Sequence, residues 1–338
     1  MLSSFSKIPI TAWLVIVMSL GIGTANAQTS WVRNSSNPIL SPSPAGWDSR
    51  EVLTPRLYYD GSKFQMWYSG DNGTIEAGGG SIGYATSNDG VSWTKNPDPV
   101  LTPGVAGAWD SFLVYAGFVL KNASTYLMWY EGAQLKSGGS CCKFGIGFAT
   151  SPDGLAWTKY AGNPILTPES SSSPYVSYPW VLMVGGEFKM WYACGFYTPY
   201  LTGICLATSP DGVHWSQNAL PVFKGTGVTT EWDAGTVYSP NIIYDGKTYG
   251  MWYSSGNSAG TKYQIGYATS PDGITWTRSS GNPIFGPTSS GAWDSYDSVD
   301  NQGILQVVGT FMLYYSADQL DTNGNFASYK IGLAKIVG

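Results

Sequence analysis

Glu51, Glu131 and Asp300 are carboxylates that no internal pattern of this 338-residue chain accounts for. Two carboxyl groups facing one bond can divide proton chemistry, one donating a proton while the other activates water or attacks. They emerge by subtraction from 22 acids. Asp89, Asp153, Asp211 and Asp272 recur in Ser-x-Asp-Gly-x-x-Trp segments, where a turn Asp bonds its own backbone. Asp48, Asp110, Asp233 and Asp294 each follow a Trp, in four of five repeats. Asp60 and Asp245 sit in tight turns, Glu187 lies at the matching hairpin, and Asp98 lies in a Pro-flanked connection. Asp71, Glu76, Glu169, Glu231 and Asp321 fall in loops and read as solvated. What remains is Glu51, Asp297 and Asp300 at the starts of first strands, with Glu131 and Asp318 after second strands, where other repeats place Ser or Ala.

Potential ligand contacts cluster with these acids. Arg50 and Arg56 flank Glu51 and can hold a carboxylate or ligand hydroxyls. Tyr115, Tyr178, Trp180 and Tyr238 carry aromatic faces on first strands, and Asp297 adds an acceptor. The third repeat replaces Trp-Asp by a run from Ser173 to Trp180, and its second loop carries Phe196, Tyr197 and Tyr200. These rings can stack on a sugar; packing in an aromatic core explains them equally well.

The elements that must position these residues follow from a repeat. Met66-Trp67-Tyr68 returns at Met128, Met190 and Met251, then as Leu313-Tyr314-Tyr315, at intervals of 62, 62, 61 and 62 residues. Each repeat has four short β-branched and aromatic runs, separated by Asp-Gly and Pro signals, with no helical period. Four antiparallel strands repeated radially make a propeller blade, so the sequence predicts an all-β, five-bladed β-propeller. The last repeat lacks its outer strand, and Trp31-Val32-Arg33 with Asn37-Pro38-Ile39 matches Trp276-Thr277-Arg278 with Asn282-Pro283-Ile284. The N-terminal strand is therefore expected to close the last blade, leaving no open sheet edge.

Composition bounds the setting. Residues 1–27 combine Lys7, an apolar stretch and Ala25-Asn26-Ala27, the grammar of a secretory signal peptide, leaving 28–338 as a single propeller domain in a secreted or periplasmic protein. Charged residues are 12% and aromatics 15%, with 43 Gly and 20 Pro, as a turn-rich aromatic β protein requires. A net charge of -5 with sparse Lys and Arg excludes a nucleic-acid face, and no mature segment suits a membrane span. The expected partner is a carbohydrate, bound by a monomer. Four cysteines (Cys141, Cys142, Cys194, Cys205) permit three disulfide connectivities, local to one hairpin or crossing repeats. The lone histidine, His214, is far from any Cys pair, so no metal site is expected, and no cofactor beyond at most a structural calcium ion.

The Asp-Gly-x-x-Trp turns resemble shortened Asp boxes, as in sialidases. That chemistry needs an arginine cluster, whereas the chain after residue 27 has only Arg33, Arg50, Arg56 and Arg278, two of them at equivalent outer strands. The whole pattern of Met-Trp-Tyr-Ser-Gly, Ile-Gly-Tyr-Ala-Thr-Ser-x-Asp-Gly-x-x-Trp and Asn-Pro-Ile resembles the five-bladed propeller glycoside hydrolase superfamily. That group includes families 32, 43, 62, 68, 117 and 130, among them arabinanases, invertases and mannoside phosphorylases. The resemblance spans essentially all of the mature chain. It implies an Asp base, a tuning Asp and a Glu acid on the first strands of blades one, two and three. The matching positions are Thr54, Ala116 and Ser177, none of them acidic. Two readings follow. One is a secreted glycoside hydrolase whose carboxylates are relocated, with Glu51 and Asp300 as the central pair, Glu131 as a third member, and Arg50 or Arg56 in support. The other is a non-catalytic carbohydrate-binding or interaction propeller.

Overall fold

The computed structural model describes residues 30–73, 79–135, 142–168, 175–196, 201–288, 292–321 and 325–336. The predicted signal segment therefore lies outside the described residues, as do Glu76, Cys141, Glu169, Tyr197 and Tyr200. Five antiparallel sheets follow one another along the chain, and the described residues contain no helix. Blade one orders Glu51–Tyr59, Phe64–Asp71, Ser81–Ser87 and Thr94–Lys95. Blade two orders Leu113–Asn122, Thr125–Gln134, Lys143–Ser151 and Thr158–Lys159. Blade three orders Tyr175–Val184, Glu187–Phe196, Leu201–Ser209 and Ser216–Gln217, with Phe223–Lys224 also paired to its third strand. Blade four orders Val237–Tyr244, Tyr249–Ser255, Gln264–Ser270 and Thr277–Arg278. Blade five orders Val299–Val307, Thr310–Leu320 and Phe326–Ile336, and Trp31–Arg33 completes it. First strands of neighbouring blades touch all the way round, so they line the axis.

The repeated residues build the seams. Trp67, Trp129, Trp191 and Trp252 are fully buried, each removing apolar surface worth about 2–3 kcal/mol. Three indoles reach into the next blade's Asp-box turn: Trp67 donates to Gly154 O (2.9 Å), Trp129 to Gly212 O (2.8 Å) and Trp191 to Gly273 O (2.8 Å). Tyr314 does the same across the closure, donating to Gly90 O at 2.9 Å. The boxes are self-contained. In one, Asp272 accepts the N–H groups of Thr275 and Ile274, which hold its carboxyl down at about 2.

The Trp-Asp carboxylates are architectural too. Asp48, Asp110, Asp233 and Asp294 each accept the Tyr hydroxyl of their own blade's second strand and pair with Lys95, Lys159, Arg278 and Arg33 on the outer strand. In blade five this pair carries the closure, since Arg33 comes from the N-terminal strand and also stacks 4.2 Å over Phe285. The cysteine question resolves locally. Cys194 and Cys205 are bridged across the second and third strands of blade three, with Cα atoms 5.8 Å apart, and Cys142 is buried.

Candidate active site

Every first strand breaks register near its start, after Leu53, Tyr115, Ser177, Tyr238 and Asp300 in turn. The next residue has positive φ in four blades, at Thr54, Tyr178, Ser239 and Asn301, a conformation that costs non-glycine residues about 1 kcal/mol or more. A bulge bends its strand and re-aims the side chains that flank it. At four of the five bulges a hydrogen bond from the preceding blade holds the backbone. Thr54 N–H donates to Ser316 Oγ (3.0 Å), Ala116 N–H to Ser69 Oγ (2.9 Å) and Asn301 N–H to Ser254 Oγ (3.1 Å).

Glu131 occupies that same latch position in blade two, accepting the Tyr178 N–H. Its longer side chain also accepts the Ser177 hydroxyl. A carboxyl group thus stands against Ser177, the position where the family resemblance implied an acid. Glu131 is 4% exposed, and burial pushes its carboxyl up to about 7 despite the two hydrogen bonds and the nearby Arg56 charge. Arg56 is itself buried, which lowers its guanidinium to about 10, and its Nη1 donates to Gln302 O (2.8 Å) and Pro55 O (3.3 Å).

Asp300 precedes the bulge of blade five and is 4% exposed. Tyr238 donates to its Oδ2 at 2.6 Å and Asn301 to its Oδ1 at 3.1 Å. Burial dominates these bonds and, with the Asp318 charge, raises Asp300 to about 7. Asp318 accepts the Ser298 N–H at 2.8 Å, and burial raises its carboxyl as well. Asp297 is half-buried nearby, its carbonyl taking the Tyr263 N–H at 2.7 Å.

Glu51 opens the first strand of blade one directly across from Asp71. The two carboxyls share a hydrogen bond, which requires a proton between them, and burial together with Asp71 raises Glu51 to about 8 while Arg50 opposes the rise. Arg50 is exposed, with its guanidinium 5.4 Å from the Phe326 ring centre. Asp71 also walls a pocket of about 420 Å³ with Trp47, Asn72, Ser81 and Thr102. The sequence reading assigned Asp71 to solvated loop. That is corrected here: it ends a strand at the register Asp318 holds in blade five, five residues past the start of each repeat signature, a correspondence visible in the repeat itself.

Tyrosines lie within electrostatic reach of these acids, and Tyr238 bonds one of them directly. Tyr115 feels Glu51, Asp71 and Glu131, and Tyr178 feels Glu131 and Asp300. Tyr178 and Tyr238 rings lie 5.5 Å apart. Tyr329, on the third strand of blade five, feels Asp300, Asp318 and Glu51; sequence reasoning missed it although Phe144 and Tyr263 stand at the same offset, two residues before the Ile-Gly of their blades. All three tyrosines expected from sequence, Tyr115, Tyr178 and Tyr238, are half-buried near these acids. Trp180 is not. Its ring packs 4.6 Å from Phe118 in the seam between blades, and its Nε1 donates to Ile242 O at 2.7 Å, so the ligand-contact expectation is corrected to a packing role. Among the described residues no group of three His, Cys, Asp or Glu side chains is arranged to hold a metal ion.

No family model matches the chain. An uncharacterized protein of Mycobacterium tuberculosis is 28% identical over 283 residues, 82% of this chain and 91% of the relative. A beta-1,2-mannobiose phosphorylase of Thermoanaerobacter sp. is 30% identical over 112 residues, 30% of this chain and 36% of that protein. Among solved structures, a glycoside hydrolase superposes with a TM-score of 0.71 at 18% identity, covering 94% of this chain and 95% of the other. A structure from the family 130 mannoside phosphorylases, described as containing hydrolases that target beta-1,2 mannosidic linkages in Candida mannan, superposes with a TM-score of 0.67 at 20% identity, covering 91% and 93%. A family 32 beta-fructofuranosidase of Bombyx mori gives a TM-score of 0.65 at 17% identity, covering 89% of this chain and 63% of the enzyme.

Proposed function

This chain has the five-bladed propeller fold of the glycoside hydrolase superfamily, and we propose that it is a secreted glycosidase working through relocated carboxylates at the mouth of the axis. One observation supports this reading: Glu51, Glu131 and Asp300 stand on three blades, share tyrosines that each feel two of them, and are each raised to between about 7 and 8. Hydrolysis needs a proton donor and an ionised carboxylate on either side of the glycosidic bond. Glu51 is the better donor, because its proton is shared with Asp71 and held highest. Asp300 is the better base, because Tyr238 and Asn301 both donate to its ionised form. Glu131 supports the floor beside Arg56, and the half-buried tyrosines offer faces for sugar rings.

Glu51→Gln and Asp300→Asn should each lower turnover of a released-sugar assay by about 10²–10⁴-fold while the far-UV spectrum stays unchanged. Full activity in either variant would sink the assignment. The second reading, a carbohydrate-binding propeller, draws on Thr54, Ala116 and Ser177, which are buried and committed to contacts within the fold. Saturable glycan binding without product after prolonged incubation would favour it.

A further inference from the structure

Arg56 carries a charge that the fold does not neutralise. It is 3% exposed, yet among the described residues no carboxylate comes within 4.0 Å of it; the arginines at 33 and 278, by contrast, each hold an aspartate at 2.7 Å. The carbonyls of Gln302 and Pro55 occupy Nη1 only. Its Nε is buried without a partner, leaving the Nε–Nη2 edge of the guanidinium unused. Glu131 and Tyr178 act on it electrostatically from blades two and three without closing an ion pair.

Unused capacity continues around the axis. Ser239 Oγ and Asn301 Oδ1, at the bulges of blades four and five, are also buried without partners. Gln302 ties them to Arg56, taking the guanidinium on its carbonyl while its Nε2 donates to Ser239 O at 2.8 Å. Buried polar atoms without partners thus occur on three blades, and Gln302 bonds both Arg56 and the Ser239 carbonyl.

We propose that Arg56 receives the carboxylate of an acidic sugar, so that the site takes uronate-bearing glycans. The proposal rests on the glycan-site reading above and narrows it to a substrate class. A carboxylate matches one edge of a guanidinium with two parallel hydrogen bonds, and supplies the counter-charge that a neutral hydroxyl lacks. A neutral sugar would leave the cation buried and uncompensated. Hydroxyls of the same acidic residue complete the set by bonding Ser239 and Asn301.

The test is ligand titration followed by NMR, using glucuronate and galacturonate against glucose, galactose and inorganic phosphate. Uronates should bind at least about tenfold tighter than their neutral parents. Arg56→Lys, which keeps the charge but loses the planar edge, should erase most of that preference. Should the lysine variant fail to fold, the wild-type comparison still decides. Equal affinity for neutral and acidic sugars overturns the proposal, and so does phosphate binding with no response to uronates. A Glu51→Gln/Asp300→Asn double variant separates the two readings: retained uronate binding supports the Arg56 site even if wild type hydrolyses nothing.

Discussion

Proton affinity separates the residues of this site by what each carboxyl faces. Asp300 faces two donors and ionises near 7, whereas Glu51 faces another carboxyl and holds its proton to about 8. A base that must be ionised and an acid that must be protonated coexist best between those values, so kcat/KM should fall below about pH 7 and above about pH 8. A flat profile from pH 5 to 9 would rule out this pair. Glu131 bears on stability instead. Its folded value of about 7 lies above its ordinary 4.5, so the stabilisation it gains by binding a proton is complete below 4.5 and is lost as pH rises through 7. Glutamine keeps the acceptor and cannot ionise. Glu131→Gln should therefore stabilise the protein at pH 8 by roughly 1–3 kcal/mol and leave it little changed at pH 4, measured by thermal unfolding. Equal destabilisation at both values would contradict it. Sequence pointed to Glu51, Glu131 and Asp300 because they break the repeat. It misjudged Asp71 and Trp180, since a cross-strand neighbour and a seam position are set by register, which single residues do not display.

Among the elements, blade three departs most from the plan. It lacks the Trp-Asp carboxylate, so Tyr192 donates instead to Gln217 at 2.9 Å, and it alone carries the Cys194–Cys205 bridge. Its latch position is Ala193, which offers the Ser239 bulge of blade four no side-chain acceptor. The disulfide stands where these repeated bonds are missing. Replacing both cysteines by serine should cost about 2–3 kcal/mol in urea unfolding, the expectation for a loop spanning 11 residues. No loss of stability would show that the bridge constrains nothing the strands do not. Strand boundaries and turns were legible because Asp-Gly turns and alternating aromatics are local signals. The bulges were not, since a register shift depends on what the neighbouring blade offers to the strained N–H.

At the scale of the whole molecule, closure decides whether this is a ring or an open stack. Trp31, Val32 and Arg33 pair with Ile336, Lys335 and Ala334, and Arg33 is locked onto Asp294. Deleting the chain through Arg33 would bare the edge of Phe326–Ile336 and leave Asp294 without its cation. Such a variant should self-associate or aggregate on size exclusion where the intact protein does not, because an unpaired edge templates another strand. A well-behaved truncated monomer would mean that closure rests on the blade seams alone. The sequence by itself determined the number of blades, the closing strand and the acids exempt from the repeat, because periodicity records local structure and repeated packing faithfully. Only the tertiary structure decided that Tyr238 bonds Asp300, that Asp71 stands across from Glu51, and that among the described residues no carboxylate comes within 4.0 Å of Arg56. Those facts depend on cross-strand register and on residues from different blades converging on one axis, and convergence across hundreds of residues leaves no trace in spacing along the chain.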